Sequence, residues 1–389
     1  MRHPTSRWLR AADARLDDLQ SALDTGTDRS GCPNAVDLVS DVPRYDCAAL
    51  RARLGLGGDF AQSLMAERAW VWEDGPGILV LQGALAAPVV DAVTVRFQEI
   101  IERERGGIAR GDHFAKAGAN DRVWNALEKL CLADPAAFAR YYANDMLALA
   151  TEAWLGPGYQ VTSQVNNVRP GGVAQTPHRD YHLGFCSAEQ AERYPAHVHR
   201  LSPLLTLQGA VAHVDMPLES GPTLYLPHSQ KFDHGYLVAD RAEFRAYFGA
   251  HRVQLPLAKG DAVFFNPALM HAAGDNRSAA IQRMANLLQM SSAFGRAMEA
   301  VDRDRMTRVL YPALQSLGRA GELDRAAQDR VVAASAEGYA FPTNLDLDPP
   351  LGGLAPASPQ DVVGRALRED WPLDRLAAWL DEAAVKRHT

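Results

Sequence analysis

The chain has 389 residues, with 40 Lys and Arg against 47 Asp and Glu, a net charge of -7, and 47% hydrophobic residues. That length can bury a large core in one elaborated domain or two, and the acidic balance offers no broad basic field for a nucleic acid. Apolar runs such as residues 78–81 are far too short to span a bilayer, and Met1-Arg2-His3-Pro4-Thr5-Ser6 leads into a polar amphipathic segment rather than a secretory core, so a cytoplasmic location is expected.

Residues 8–30 and 45–70 carry Leu and Ala at three- and four-residue spacing (Leu9, Ala12, Leu16, Leu19 and Leu23 in the first), which predicts helices. Leu54-Gly55-Leu56-Gly57-Gly58 lacks a P-loop lysine and a dinucleotide fingerprint and reads as a turn. After Asp74-Gly75-Pro76-Gly77, residues 78–81 read as a strand and a helix opens at Ala87, running to about Arg105. Lys116 and Trp124 fall in a loop and helix start, a candidate closure over a site, and further helices are expected over 120–155. Residues 161–168 read as a strand with Gln164 and Asn166 on one face. Amides facing an interior are costly unless paired, so these two are candidates for ligand contact beside ordinary hydrogen bonding. Cys32, Cys47, Cys131 and Cys186 are dispersed, without zinc-like spacing, and read as free thiols.

The stretch Thr176-Pro177-His178-Arg179-Asp180 comes next, with His271 lying 91 residues beyond Asp180. Two imidazoles and a carboxylate are the ligand set of an open ferrous site. On extended chain His178 and Asp180 point to one side and Arg179 to the other. In a chain with 12 histidines an isolated H-x-D triplet means little by itself. Tyr181, His182 and Phe185 would line a substrate mouth, and the charged, histidine-bearing segment 188–200 is a candidate lid. His213-Val214-Asp215 is a second triplet without supporting context, better read as polar surroundings than as a ligand pair. Gly221-Pro222 sets a turn before a short strand, with Thr223, His228 and Ser229 following. Residues 253–257 and 262–265 flank the turn Lys259-Gly260-Asp261 as a hairpin-like pair, and His271 follows the second of them. Beyond, 296–335 is helical in composition, 338–359 is a Pro- and Gly-rich connection, and 362–386 returns to helix, with Leu367, Trp371, Leu373, Leu376, Trp379 and Leu380 suggesting a cap on the core or on another subunit.

From Gln164 to Gln289 the chain resembles the phytanoyl-CoA dioxygenase family of Fe(II)/2-oxoglutarate-dependent oxygenases. The resemblance rests on His178-Arg179-Asp180, on Glu219-Ser220-Gly221-Pro222-Thr223-Leu224-Tyr225-Leu226-Pro227-His228-Ser229, on Gly260-Asp261, and on His271 followed by Asn276-Arg277-Ser278 and Arg283. It implies a mainly β fold with flanking helices: a double-stranded β-helix (jelly roll, cupin-like) catalytic domain over 76–295, a helical N-terminal extension over 1–75 and a helical C-terminal extension over 296–389 packed on the core. It also implies Fe(II) held by His178, Asp180 and His271, and 2-oxoglutarate anchored by Arg283 with Gln164, Asn166 and Thr223 as further contacts. Arg283 lies 12 residues beyond His271, one more than is usual in the family, which a bulge or insertion would reconcile; Arg277 is the alternative. A planar guanidinium fork suits a carboxylate better than lysine does.

The function implied is hydroxylation of a small-molecule metabolite, with O2 and 2-oxoglutarate converted to succinate and CO2. Asp180 fills the carboxylate position, which leaves a halide no obvious place. Two alternatives stay open: an iron oxygenase that does not use 2-oxoglutarate, and a non-catalytic small-molecule binding protein on the same fold. The chain shows no Lys/Arg cluster suited to the phosphates of CoA, which favours a small polar metabolite or a natural-product intermediate, and a homo-oligomer is compatible with the apolar C-terminal helices.

Overall fold

The computed structural model describes residues 7–105 and 120–387; Lys116 lies outside them. The described strands are β1 (Asp37–Val39), β2 (Val42–Asp46), β3 (Ile78–Gln82), β4 (Asn120–Val123), β5 (Gln160–Val168), β6 (Thr206–Ala212), β7 (Leu224–Tyr225), β8 (Val253–Gln254), β9 (Ala262–Phe265), β10 (His271–Ala272) and β11 (Arg283–Ser291). Eight of them form one sheet in the order β1-β2-β3-β9-β6-β11-β5-β4, parallel between β2 and β3 and antiparallel elsewhere. The other three form a second sheet, β10-β7-β8.

Neither sheet closes on itself, and helix outweighs strand by 47% to 16%. The fold is therefore mixed α/β with two open sheets, which corrects the mainly β, closed double-stranded β-helix expected from the resemblance. Part of the reason is local. Strands of the second sheet are two residues long, with Pro222 and Pro227 around β7, Pro256 after β8 and Pro267 before β10. Proline has no N–H for a ladder, so the pairing stops there. Many of the helices pack on the outer face of the large sheet, while Leu16–Leu23, Gly235–Val238 and Ala242–His251 pack beside the second sheet with Leu226, Met270 and Ala272.

Period-two alternation separates the two faces of that sheet. Leu79 and Leu81 of β3 join the main core, whereas Ile78 and Val80 pack toward Tyr225 and Leu255 of the second-sheet side. Along β11, Met284 and Met290 belong to the main core, while Arg283, Ala285, Leu287 and Gln289 line a cavity. Helices over Ala87–Arg105, Pro135–Tyr142, Asp145–Leu155 and Arg303–Arg319 complete the main core with Phe97, Phe138, Met146 and Leu310.

Several elements differ from expectation. Residues 8–30 form one helix, Leu16–Leu23, flanked by 3-10 turns, and β1 and β2 widen the large sheet from within the N-terminal segment. The glycine-rich turn does separate the helices Cys47–Leu54 and Phe60–Glu73, with Gly57 and Gly58 at φ 74° and 78°. Residues 120–123, expected to be helical, form the edge strand β4 beside β5. The hairpin-like pair is not a hairpin: β8 belongs to the second sheet and β9 to the first. Lys259-Gly260-Asp261 carries the chain across, and at Gly260 (φ 91°) a Cβ would lie 2.3 Å from the Leu85 carbonyl oxygen. Among the described residues no helix is long and apolar enough to cross a membrane.

Candidate active site

The His178 and His271 segments meet as an isolated antiparallel bridge, each backbone N–H donating to the other's carbonyl at 2.9 and 3.0 Å. The Asp180 N–H donates to the Pro267 carbonyl at 2.9 Å. Pairing of these segments is what brings the remote histidine to the H-x-D triplet. Arg179 turns away from the two, as its position between them requires, and is buried. Its guanidinium donates to the carbonyls of Ser229 and Phe232 and lies 5.3 Å from the Tyr236 ring centroid. The Ser229 hydroxyl in turn accepts from the N–H of Met270 at 2.8 Å, one residue before His271. Both segments are thus tied to one turn, Ser229–Lys231.

One ligand atom from each of His178, Asp180 and His271 lies within 4.8 Å of the other two. His178 Nε2 is 3.8 Å from Asp180 Oδ1, and His271 Nε2 is 3.3 Å from Oδ2. Each Nδ1 faces a backbone carbonyl at 2.8 Å, that of Thr176 for His178 and that of Leu269 for His271. A carbonyl only accepts, so Nδ1 carries the proton and the Nε2 lone pair of each neutral ring is left for a metal. Burial, followed by neighbouring His271, lowers the His178 pKa and favours that neutral form. Burial pushes Asp180 the other way, but neighbouring His271 and His178 and the Gln208 amide hold its carboxyl well below the usual range. Two neutral imidazoles and one carboxylate on one side of a point are a donor set that fits Fe(II) and leaves a face open.

The triad borders a cavity of about 650 Å³ between the two sheets. Arg283, Gln164, Asn166 and Thr223 all line it. Arg283, at the start of β11, is buried and donates to the carbonyls of Ser220 and Gly274 at 3.5 and 3.3 Å. Among the described residues its hydrogen bonds go to backbone carbonyls and no carboxylate pairs with it, and burial brings its pKa down to about 10, so it stays charged. Arg277 is exposed and does not line the cavity. Asn276 folds the intervening loop by donating to the carbonyls of Val168 and Ile281 at 2.9 and 2.8 Å. On β5, Gln164 accepts from Arg122 at 3.0 Å, leaving its Nε2 buried without a partner, as is Asn166 Oδ1.

Tyr181, Phe185 and Trp124 line the cavity, whereas His182 does not and faces Ser202. The segment 188–200 folds into the helix Ala188–Ala191 and most of the helix Ala196–Leu204, and only its Ala188 touches the cavity. His213 sits behind the large sheet between Thr94 and Tyr141, and Asp215 accepts from the Lys259 N–H. His228 is buried against Thr27 and Lys231. Among the cavity residues that the sequence does not mark are Gln208, whose Nε2 donates to Asp180 Oδ2 at 2.6 Å, and Arg122. Gln208 is the lone amide of the apolar strand β6, a local signal that does not name its partner.

The phytanoyl-CoA dioxygenase (PhyH) family model matches residues 74–285, more than half of the chain. The chain belongs to this family. With the His-His-Asp triad in place it is an enzyme of the Fe(II)/2-oxoglutarate-dependent class, with Fe(II) and 2-oxoglutarate as its cofactors. Among solved structures, the chain is similar to the α-ketoglutarate-dependent epimerase SnoN from nogalamycin biosynthesis, at 20% identity and a TM-score of 0.43 over 60% of this chain and 84% of that one. The carbocyclase SnoK from the same biosynthesis gives 20% and 0.43 over 60% and 86%. HygX from Streptomyces hygroscopicus, with nickel and 2-oxoglutarate bound, gives 16% and 0.41 over 61% and 90%. Likenesses this distant carry no activity across. No curated protein matches the chain.

Proposed function

We propose that this family member hydroxylates a small-molecule metabolite: substrate, O2 and 2-oxoglutarate give hydroxylated substrate, succinate and CO2. The observation that carries the reading is the convergence of His178 Nε2, Asp180 and His271 Nε2 on one side of a cavity that also holds the buried Arg283, which has no carboxylate partner among the described residues. His178, Asp180 and His271 are the residues to hold iron. A buried guanidinium without an anion is costly, so Arg283 is the group to bind the far carboxylate of 2-oxoglutarate, with Thr223, Asn166 and Gln164 as further contacts. Iron with its cosubstrates supplies the two-electron oxidation. The chain's share is to hold both imidazoles in one tautomer through Thr176 and Leu269, to keep Asp180 ionised, and to shield the reacting atoms between the sheets. A cavity of about 650 Å³ has room for the cosubstrate and a metabolite of modest size.

Anaerobic titration of Fe(II) and 2-oxoglutarate into the apoprotein tests this. The native chain is expected to develop a metal-to-ligand charge-transfer band that is lost in His178→Ala. In Arg283→Ala, removal of a charge-assisted contact is expected to raise the 2-oxoglutarate requirement about 10- to 100-fold. A folded, iron-loaded native protein without the band would sink the proposal.

A further inference from the structure

Gln208 sits in the interior of the large sheet, on β6, with Gln289 of β11 and Phe265 of β9 as its Cα partners on either side. Its backbone is therefore fixed. Its Nε2 lies 2.6 Å from Asp180 Oδ2, and since an ionised carboxylate only accepts, the amide must present nitrogen there. The other amide atom, Oε1, is buried and makes no hydrogen bond that would pull the side chain elsewhere. With both imidazole protons on Nδ1, Gln208 is the one side-chain donor to this carboxylate among the described residues; the Tyr236 hydroxyl donates to the Asp180 backbone carbonyl instead, at 3.3 Å. Oδ2, which lies 3.3 Å from His271 Nε2, is thus engaged by a neutral donor, whereas Oδ1, 3.8 Å from His178 Nε2, has none.

We propose that Gln208 is a positioning residue that restricts Asp180 to a single metal-binding oxygen, and so keeps one coordination position free for O2. The inference rests on the reading of His178, Asp180 and His271 as iron ligands. A count of positions gives its consequence. Two imidazoles, one carboxylate oxygen and a chelating 2-oxoglutarate occupy five of the six places of an octahedron. A carboxylate bound through both oxygens would occupy the sixth. Loss of the Gln208 donor releases Oδ2, and the carboxylate then closes the site against O2 without weakening its hold on iron.

Gln208→Met keeps the side-chain length and removes the donor. Native and variant proteins, loaded anaerobically with Fe(II) and 2-oxoglutarate, are titrated with nitric oxide, which competes for the O2 position and gives an iron nitrosyl signal in electron paramagnetic resonance. The charge-transfer band in the same samples reports that iron and 2-oxoglutarate are bound. The variant is expected to keep the band, to bind Fe(II) at least as tightly as the native chain, and to need about 10- to 100-fold more nitric oxide. Nitric oxide binding equal to native would overturn the inference. So would parallel losses of iron and nitric oxide affinity, the pattern of a merely structural role. A native protein with no band would overturn the ligand assignment and the inference with it. Gln208→Leu provides the same comparison if the thioether variant does not fold.

Discussion

His213 illustrates how a residue type acquires its meaning from its surroundings. In sequence it forms an H-x-D triplet like that of His178, yet its Nδ1 and Nε2 lie 2.8 and 3.1 Å from the hydroxyls of Thr94 and Tyr141, behind the large sheet. Burial lowers its pKa to about 3, with Asp91 opposing weakly, so the folded state holds it neutral. In the unfolded chain it titrates near 6.5. The unfolded state therefore binds the extra proton, and the stabilisation is intact above about pH 6.5 and is lost as pH falls toward 3. The expected slope is about 1.4 kcal/mol per pH unit. In His213→Gln, urea unfolding between about pH 6.5 and 5 should depend less steeply on pH by that amount, while His228, shifted in the same direction, cancels in the comparison. Equal slopes would refute the buried neutral assignment. The triad itself was readable because alternation along extended chain decides which side chains share a side. Gln208 was missed because its meaning depends on Asp180, a partner 28 residues away that only the packing of the two sheets brings near.

At the level of elements, the ligand strands are held by a third piece of chain, and Gly235 shows how tightly. A Cβ there would lie 1.8 Å from Arg179 Cζ, so the guanidinium occupies the space a side chain would take. Gly235→Ala must displace Arg179 from the Ser229 and Phe232 carbonyls and is expected to cost about 2–4 kcal/mol. In an Arg179→Met background, where the flexible thioether can yield, the same change should cost clearly less, giving a non-additive cycle. Additive costs in chemical denaturation would show that the clash is relieved another way. None of this is visible in the local pattern, because a glycine opening a short helix reads as a turn residue. Strand β4 was misread for a related reason: Asn120-Asp121-Arg122-Val123 has little strand preference, and its pairing comes from β5 together with the Arg105 and Arg169 contacts to Asp121. The β8 and β9 segments are extended, as their residue pattern predicts. Their assignment to different sheets depends on Gly260 packing against Leu85, a contact 175 residues distant.

For the molecule as a whole, the helical character of 296–335 and 362–386 is legible in the sequence, but the surface these helices cover is not, because amphipathicity shows that a face is apolar without naming its partner. The buried Arg303 guanidinium donates to the Val161 carbonyl on β5 at 3.0 Å and to Ala334 at 3.5 Å. Met306, Leu310, Leu314, Val331 and Val332 belong to the same continuous core as Phe138, Tyr159 and Leu288. At roughly 1.5–3 kcal/mol for each buried side chain, these five contribute as much as the whole net stability of about 5–15 kcal/mol expected for a domain. We therefore propose that 296–389 is an integral layer of the catalytic unit and not an appended module. A chain ending at residue 295 should lose cooperative thermal unfolding and fail to develop the Fe(II)/2-oxoglutarate band, even though it retains every residue assigned to the site. If that chain melts cooperatively and gives the band, the helices are dispensable to the site and the core they share with the sheet is not what supports it.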